Sequence, residues 1–308
     1  MNRDLPKISI ITPSFNQAEF LEATIKSILS QNYPNLEYII IDGGSTDESV
    51  SIIKKYEKYL HFWCSEPDEG HYHAVNKGFS KSTGEIMAWL NSDDMYCPWA
   101  LKTVGSIFSE FSQVEWLTTL DHGHWDWYGL CSDFTKYPGY SREAFLDGCY
   151  LRRGNALDKN RFIGSIGSIQ QESTFWRRSL WDKVGGYVST KFDLASDFDL
   201  WSRFYMHTDL YGTDSPLGGF RSRIDQRSSQ RDRYRQEMEQ SLNTMRDSSN
   251  WTFNTFRNVI FNLKLHQVPY IKKTLSPLYS YTGKKIARCN PGSPKANWKI
   301  QEYSFFVK

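Results

Sequence analysis

Apolar runs of strand length alternate with amphipathic helical patterns along the first 120 residues of this 308-residue chain. The apolar runs occupy residues 7–12, 37–41 and 86–90, and helical patterns occupy residues 20–29 and 48–59. Strands and helices in this order and at this spacing are typical of βαβ units, which build a parallel sheet. The sequence therefore predicts an α/β fold with a mostly parallel central sheet flanked by helices.

Aspartates closely follow two of these predicted strands. Residues 86–90 run into Asp93 and Asp94, and residues 37–41 run into Asp42, which opens the turn Asp-Gly-Gly-Ser-Thr-Asp. The carboxyl ends of parallel strands are where α/β proteins place ligands. Two adjacent carboxylates there either repel each other or hold a hard divalent cation, whose other ligands are water and phosphate oxygens. For the Asp42 turn alone, a tight connection between strand and helix is the simpler interpretation.

A later segment, Asp-Leu-Ala-Ser-Asp-Phe-Asp-Leu-Trp, places two aspartates on a predicted helix within residues 191–204. Asp197 and Asp199 are two residues apart, so their side chains point in different directions. One of them can face a cleft while the other is solvated or pairs with Arg203 at i+4. The pattern therefore leaves one helical carboxylate available to a cleft.

Helical and strand periodicity both fail over residues 121–169. A loop-rich stretch of this length is either disordered or functional, and its many tryptophans and tyrosines argue against disorder. Aromatic faces suit sugar rings, although core packing explains each aromatic residue equally well. We predict a loop-rich functional region here, followed over residues 170–186 by a polar turn, a short strand and a helix.

Charge is distributed unevenly along the chain. From Arg221 onward there are 17 Lys and Arg against 6 Asp and Glu, whereas the residues before it have 20 against 29. Such asymmetry indicates an interaction surface on the basic part. Residues 251–286 mix aromatic and basic side chains, a composition that can lie at a membrane interface. A helical extension packed on its own domain is the simpler interpretation of the same residues.

The five cysteines are widely spaced and include no Cys-x-x-Cys pair, so neither a zinc site nor a disulfide framework is predicted. Reduced thiols indicate a cytosolic compartment. The N-terminus has no apolar signal segment, and no stretch reaches the roughly 18 apolar residues of a membrane span. We therefore expect a cytoplasmic protein, with peripheral contact at the inner face of the plasma membrane left open.

Four stretches of the chain form a recognisable set. They are ISIITPSFNQ, YIIIDGGSTD, the segment from PDEG through AVNKG to GEIMAWLNSDD, and ASDFDLWSRF. Together they resemble the family 2 glycosyltransferases, which are inverting enzymes of GT-A fold, and in particular the bacterial members that assemble cell-surface polysaccharides. The resemblance covers about residues 5–230. It implies a GT-A domain over residues 1–230, with a nucleotide-binding half over 1–120 and an acceptor half over 121–230, and a basic, aromatic, mostly helical extension over 231–308.

The resemblance implies a metal-dependent, inverting transfer of a sugar from a nucleotide-diphosphate sugar to a hydroxyl acceptor in polysaccharide, lipopolysaccharide or glycolipid assembly. UDP is the default nucleotide, with GDP and dTDP left open. The general base would be Asp197, with Asp199 as the alternate. Mn²⁺ or Mg²⁺ would be held by Asp94, which we favour, or by Asp93.

The remaining implied roles concern the nucleotide, its diphosphate and the two sugars. The stretch from Arg221 to Ser229 would hold the diphosphate or close over it. The residues implied to bind the nucleotide are Thr12, Pro13, Ser14, Asn16, Asp42, Gly43, Ser45, Asp68, Asn76, Lys77 and Asp93. Those implied to lie near the acceptor or the donor sugar are Asn91, Gln171, Glu172, Asp199 and Arg221.

Two alternative functions remain open from the sequence. A sugar-nucleotidyltransferase on a similar sheet would need a basic, Gly-rich phosphate loop after the first strand, whereas Thr-Pro-Ser-Phe-Asn-Gln has no basic residue. An inactive sugar-binding relative would be expected to have lost its acids, yet Asp42, Asp93, Asp94 and Asp197 are all present. No nucleic-acid partner is expected, because the basic tail contains no recognisable motif.

Overall fold

The computed structural model describes residues 5–151, 165–224, 226–252, 254–290, 292–293 and 297–307. The strands within these residues are β1 (Ile8–Ser14), β2 (Leu36–Asp42), β3 (Phe62–Ser65), β4 (Ile86–Trp89), β5 (Met95–Tyr96), β6 (Trp116–Thr119), β7 (Asp121–Trp125), β8 (Cys131–Lys136), β9 (Phe175–Arg177), β10 (Tyr211–Thr213), β11 (Gly218–Arg221), β12 (Tyr281–Cys289) and β13 (Asn297–Phe305). The helices are α1 (Ala18–Leu29), α2 (Ser49–Tyr56), α3 (His71–Ser80), α4 (Ala100–Glu110), α5 (Arg142–Leu146), α6 (Arg178–Lys183), α7 (Ser196–Tyr205), α8 (Arg231–Ser249), α9 (Thr255–Asn262) and α10 (Pro269–Tyr279).

The central sheet has nine strands in the order β13-β12-β10-β6-β9-β4-β1-β2-β3. The pairs from β3 through β2 and β1 to β4 are parallel, as are β6 with β10 and β10 with β12. Antiparallel pairs occur where β9 lies between β4 and β6 and where β13 borders β12. The predicted mostly parallel sheet is confirmed. Its register aligns Ser14, Asp42 and Ser65 at one edge.

Continuous burial explains why the apolar runs form this sheet. β1 and β4 are buried along their whole length, as expected for parallel strands that are covered on both faces. A group of indoles then fixes α7 against the sheet. The ring of Trp201 on α7 stacks on Trp89 of β4 with centroids 6.1 Å apart and lies 5.5 Å from Trp116 of β6. Burial of these large rings stabilises the position of α7 relative to the carboxyl end of β4.

Residues 121–136 form a hairpin, so the prediction of a loop-rich stretch was wrong for this part. β7 and β8 pair antiparallel and belong to a second sheet with the order β5-β11-β7-β8. Every residue of β8 is exposed, so the strand lacks the alternation of buried and exposed residues that would reveal it in a sequence. Residues 152–164, in the same predicted loop-rich region, lie outside the described residues.

The C-terminal region begins with the three helices α8, α9 and α10, in agreement with the predicted helical extension. It ends with the hairpin β12–β13, which was not predicted and which extends the central sheet beside β10. A domain boundary at residue 230 stays a prediction. In the part of the chain that the structure describes, none of the helices combines the length and the apolar character needed to cross a membrane.

Candidate active site

A cleft of about 1270 Å³ opens at the carboxyl ends of β1, β2 and β4. Carboxylates from four separate segments line it, and two arginines from the loop after β11 face them. The acidic residues are Asp68, Asp93, Glu172, Asp193 and Asp197, and the arginines are Arg223 and Arg227. Among the predicted site residues, those in the lining are Pro13, Ser14, Gly43, Asp68, Asn91, Asp93, Gln171, Glu172 and Asp197.

Asp93 and Asp94 follow β4 but lie in different environments. Asp93 lines the cleft, and its Oδ2 pairs with Arg223 Nη2 at 2.8 Å. Asp94 is buried and lies outside the cleft lining, where its Oδ1 accepts a hydrogen bond from Arg221 N at 2.9 Å and its Oδ2 accepts one from Asn91 Nδ2 at 3.1 Å. Of the two aspartates, Asp93 therefore lines the cleft, whereas Asp94, the favoured metal ligand, is buried beside it.

Burial shifts the protonation of both carboxyls. It raises the pKa of Asp94 well above its usual range, and the negative charges of Asp93 and Glu172 add to this effect. Burial also raises the pKa of Asp93, against the opposing influence of the Arg223 and Arg221 guanidiniums. Asp93 is thus the carboxyl of the pair that has an arginine partner in the cleft, Arg223.

Arg221 joins the strand β11 to the turn that carries the aspartates. Its side chain is buried, donates from Nε to the backbone oxygen of Asp93 at 2.6 Å, and donates from Nη1 to the backbone oxygen of Trp127 at 2.8 Å. Arg221 was predicted to lie near the sugars, whereas it is absent from the cleft lining. It holds the Asp93–Asp94 turn in place, and the next arginine along, Arg223, enters the cleft.

The Asp42 turn is held together by its own carboxylate. Asp42 is fully buried, and its Oδ2 accepts hydrogen bonds from Gly44 N at 3.2 Å, Ser45 N at 2.8 Å and Ser65 Oγ at 2.6 Å. Its Oδ1 accepts one from Ser45 Oγ at 2.5 Å. Both oxygens are therefore engaged inside the turn. Gly43 and Gly44, which follow Asp42, are the residues that reach the cleft.

Besides Asp42 and Ser45, four residues predicted to bind the nucleotide lie outside the cleft lining. Thr12 is buried and accepts from the Tyr38 hydroxyl at 3.1 Å. Asn16, at the end of β1, accepts from Thr46 N at 2.9 Å and so supports the Asp42 turn. The other two are Asn76 and Lys77. The Asn76 side chain donates to the backbone oxygen of Val188 and accepts from its backbone N–H, and Lys77 pairs with Glu66.

Asp197 lies in the first turn of α7 and faces the cleft. The Tyr234 hydroxyl of α8 lies 3.1 Å from each of its carboxylate oxygens. Asp199, two residues on, instead pairs with Arg203 at 3.0 Å. The two aspartates thus have the divided roles that their spacing predicts, with Asp197 as the one at the cleft.

The position of Asp197 also depends on Glu237, a second residue of α8. Glu237 Oε2 accepts from Leu194 N at 2.7 Å and from Ala195 N at 3.0 Å, immediately before α7. These are N–H groups that the helix itself leaves unpaired, and a carboxylate is favoured there by the helix dipole. α8 therefore fixes both the start of α7 and the carboxylate that α7 carries.

Glu172 and Gln171 approach the cleft from a short 3₁₀ turn, Gln171–Ser173. Burial, assisted by the negative charges of Asp197 and Asp93 and opposed by hydrogen bonds, raises the pKa of Glu172 to about 7. Gln171 donates from Nε2 to the backbone oxygen of Trp89 at 2.7 Å. Both residues were predicted to lie near the acceptor or the donor sugar, and both line the cleft that Asp93 and Asp197 also line.

Sequence reasoning did not single out Arg223, Arg227, Tyr234 or Glu237. The first two fall inside the basic stretch that was predicted to meet the diphosphate, so composition contained a partial signal. Tyr234 and Glu237 lie on a polar helix without any motif, and their partners lie about 40 residues earlier in the chain. No local pattern could have identified these two residues.

The model of the family "Glycosyl transferase family 2" matches residues 9–123. An uncharacterized glycosyltransferase of Mycobacterium tuberculosis is 31% identical over 193 residues, which are 62% of this chain and 66% of that protein. This chain belongs to glycosyltransferase family 2. The match spans just under two thirds of that relative's length. The putative teichuronic acid biosynthesis glycosyltransferase TuaG of Bacillus subtilis is 38% identical over 94 residues, 30% of this family 2 chain and 37% of TuaG.

Among solved structures, residues 1–349 of S. aureus TarS in complex with UDP-GlcNAc resemble this family 2 glycosyltransferase with a TM-score of 0.60. The superposition covers 88% of this chain and 75% of the TarS chain at 15% identity. Similarity at this identity concerns the fold, and it confirms the predicted GT-A architecture.

Proposed function

We propose that this family 2 glycosyltransferase transfers a sugar from a UDP-sugar to a hydroxyl acceptor in the assembly of a cell-surface polysaccharide, lipopolysaccharide or glycolipid, with inversion at the anomeric carbon. One observation carries the proposal: Asp93 and Asp197 come from distant segments of the chain and line the same cleft. The UDP-GlcNAc bound by TarS supports a UDP-sugar donor. The name of TuaG supports a polysaccharide product.

The nucleotide fits the part of the cleft between β1 and β3. Pro13, Ser14, Gly43 and Asp68 line it. A Cβ atom on Gly43 would lie only 3.0 Å from Asp68 Oδ2, so the glycine leaves space beside this carboxylate. Asp68 is thus placed to accept a hydrogen bond from an imide N–H such as that of uracil. The engaged carboxylate of Asp42 contributes by shaping the turn.

The residues around Asp93 fit a hard divalent cation. Asn91 Oδ1 and Gln171 Oε1 are buried, belong to cleft-lining residues and have no hydrogen-bond partner in the described structure. Carboxylate and amide oxygens are suitable ligands for Mg²⁺ or Mn²⁺. Within the described residues no group of three acidic, His or Cys side chains could cage a metal, which suits a cation that completes its coordination with substrate phosphates and water. Asp93 would hold it, together with Asn91.

Different groups of the protein act on the leaving group and on the acceptor. A bound cation supplies Lewis-acid stabilisation of the leaving diphosphate. Arg223 and Arg227, which also line the cleft, offer guanidiniums to the phosphate oxygens. Asp197 accepts the proton of the acceptor hydroxyl as that oxygen attacks the anomeric carbon from the opposite side. Glu172, which lines the same cleft, would hydrogen-bond the transferred sugar.

Chelation of divalent cations is expected to stop sugar transfer. Without the cation only Arg223 and Arg227 offer positive charge to the diphosphate, and the carboxylate of Asp93 repels it. Release of UDP from UDP-GlcNAc and other UDP-sugars would be measured with an acceptor before and after EDTA treatment, and again after Mn²⁺ or Mg²⁺ is returned. Full activity in excess EDTA would contradict a role for the metal and leave the two arginines as the phosphate-binding groups.

Replacing Tyr234 with phenylalanine is expected to lower kcat about tenfold and leave the donor KM unchanged, since one hydrogen bond to a charged carboxylate is lost. The hydroxyl stabilises the ionised form of Asp197, so its loss raises the carboxyl pKa and moves the acidic limb of the kcat profile to higher pH. Tyr205→Phe is the matched control, because the Tyr205 hydroxyl, on α7 like Asp197, is buried without a hydrogen-bond partner in the described structure. An unshifted pH profile for Tyr234→Phe would contradict this positioning role.

A further inference from the structure

Helix α9 presents an apolar stripe to solvent. Phe256, Val259 and Leu263 follow one another at i, i+3 and i+7, and they are 43%, 44% and 65% exposed. The neighbouring side of the helix buries Arg257 and Ile260. An amphipathic surface helix normally turns such a stripe toward the core. Here the helix has a buried side already, and a second apolar side faces outward.

More exposed apolar side chains follow along the chain. Val268, Tyr270 and Leu278 are 42%, 76% and 62% exposed, whereas Tyr279 at the end of α10 is buried. Six of the fifteen large apolar side chains that are exposed in the described part of the chain fall within residues 256–278. Scattered single apolar residues are normal on a protein surface, but a concentration of them marks an interaction site.

The same region is basic and has no acidic residue. Residues 248–301 contain nine Lys and Arg and neither Asp nor Glu. Three of these cations are neutralised within the fold: Arg257 pairs with Asp147 at 2.7 Å, and Lys284 and Lys285 pair with aspartates of the loops before and after β10. Lys264, Lys272 and Lys273 are exposed and lie among the apolar residues.

We propose that α9 and α10 form a surface that binds an anionic lipid bilayer. The tail surface consists of Phe256, Val259, Leu263, Val268, Tyr270 and Leu278 with the three exposed lysines. Apolar side chains that enter the acyl boundary, with lysines at the headgroup level, are what an interfacial helix requires. A nucleic acid would use the lysines but not the apolar side chains, and a second copy of the chain would bring like charges together. The surface would hold the enzyme where lipid-linked saccharides reside.

Vesicle sedimentation of the full-length protein tests this proposal without donor or acceptor, so the outcome is independent of the proposed reaction. We expect binding to vesicles of equal parts phosphatidylglycerol and phosphatidylcholine, weaker binding as NaCl increases, and little binding to phosphatidylcholine alone. Lys272→Glu/Lys273→Glu should weaken binding at least about tenfold. The matched control, Lys54→Glu/Lys58→Glu, makes the same change on exposed residues elsewhere and should bind as the unmodified protein does.

A second variant separates the bilayer from other partners. Phe256→Ser/Val259→Ser should weaken vesicle binding while circular dichroism and thermal unfolding stay unchanged. Absence of binding to anionic vesicles at low salt, or equal loss in the Lys54→Glu/Lys58→Glu control, would overturn the proposal. The proposal would also be overturned if Phe256→Ser/Val259→Ser converted a dimer into a monomer in light scattering and left vesicle binding unaltered. That result would assign the surface to a second copy of the chain. Loss of binding to duplex DNA in the glutamate variant, with vesicle binding unaltered, would assign the surface to nucleic acid.

Discussion

Replacing Asp197 with asparagine is expected to lower kcat by about a thousandfold, whereas the affinity for the UDP-sugar is unchanged. Loss of a general base typically costs 10²- to 10⁴-fold. Asparagine keeps the shape of the side chain and can still accept from Tyr234, so the fold and the start of α7 should be preserved. The rate of UDP release with an acceptor gives kcat, and calorimetric titration of the donor gives the affinity.

Asp199→Asn is the control for this prediction. Asp199 lies on the same helix but pairs with Arg203 at 3.0 Å, and its ion pair is partly exposed, so its loss should change stability by about 1 kcal/mol or less and leave kcat nearly unchanged. If Asp197→Asn keeps more than a tenth of the activity, Asp197 is not the base. If Asp199→Asn causes the larger loss, the roles of the two aspartates are exchanged.

The central sheet could be predicted because local sequence patterns identify its strands. Residues 86–90 and 38–41 are continuous apolar runs, and a strand buried on both faces needs nothing else to be recognised. The hairpin β12–β13 could not be found in this way, since its strands carry many exposed polar residues. Its place in the sheet depends on pairing with β10 about 70 residues earlier. Exposed strands are specified by distant partners, which local patterns do not contain.

The positions of the site acids could be predicted better than the directions of their side chains. The ends of β2 and β4 were correctly expected at one sheet edge, and this brings the Asp42 and Asp93 turns together. Which oxygen faces the cleft is decided by donors far along the chain: Arg221 N turns Asp94 inward from 127 residues away. The different surroundings of Asp197 and Asp199 could be predicted, because the partner of Asp199, Arg203, lies only four residues away on the same helix.

Replacing Asp93 with alanine is expected to abolish metal-dependent donor binding and to reduce transfer by at least about a hundredfold, with little change in thermal stability. Asp93 is the aspartate of the pair that reaches the cleft, and its ion pair with Arg223 is partly solvated, so its loss should cost about 1 kcal/mol or less. Titration of Mn²⁺ in the presence of UDP reports the metal directly, apart from any effect on catalysis.

Asp94→Ala should behave in the opposite way, and the comparison decides which carboxylate serves the metal. Removing the Asp94 side chain leaves Arg221 N and Asn91 Nδ2 without their acceptor in a buried place, which costs about 1–3 kcal/mol for each buried donor left unpaired. The variant should therefore unfold at a clearly lower temperature, while the folded fraction still binds Mn²⁺ with UDP. If Asp94→Ala instead loses Mn²⁺ binding at unchanged stability and Asp93→Ala retains it, the cation is held by Asp94. Donor binding would then require the Arg221 and Asn91 hydrogen bonds to open and the Asp94 side chain to turn into the cleft.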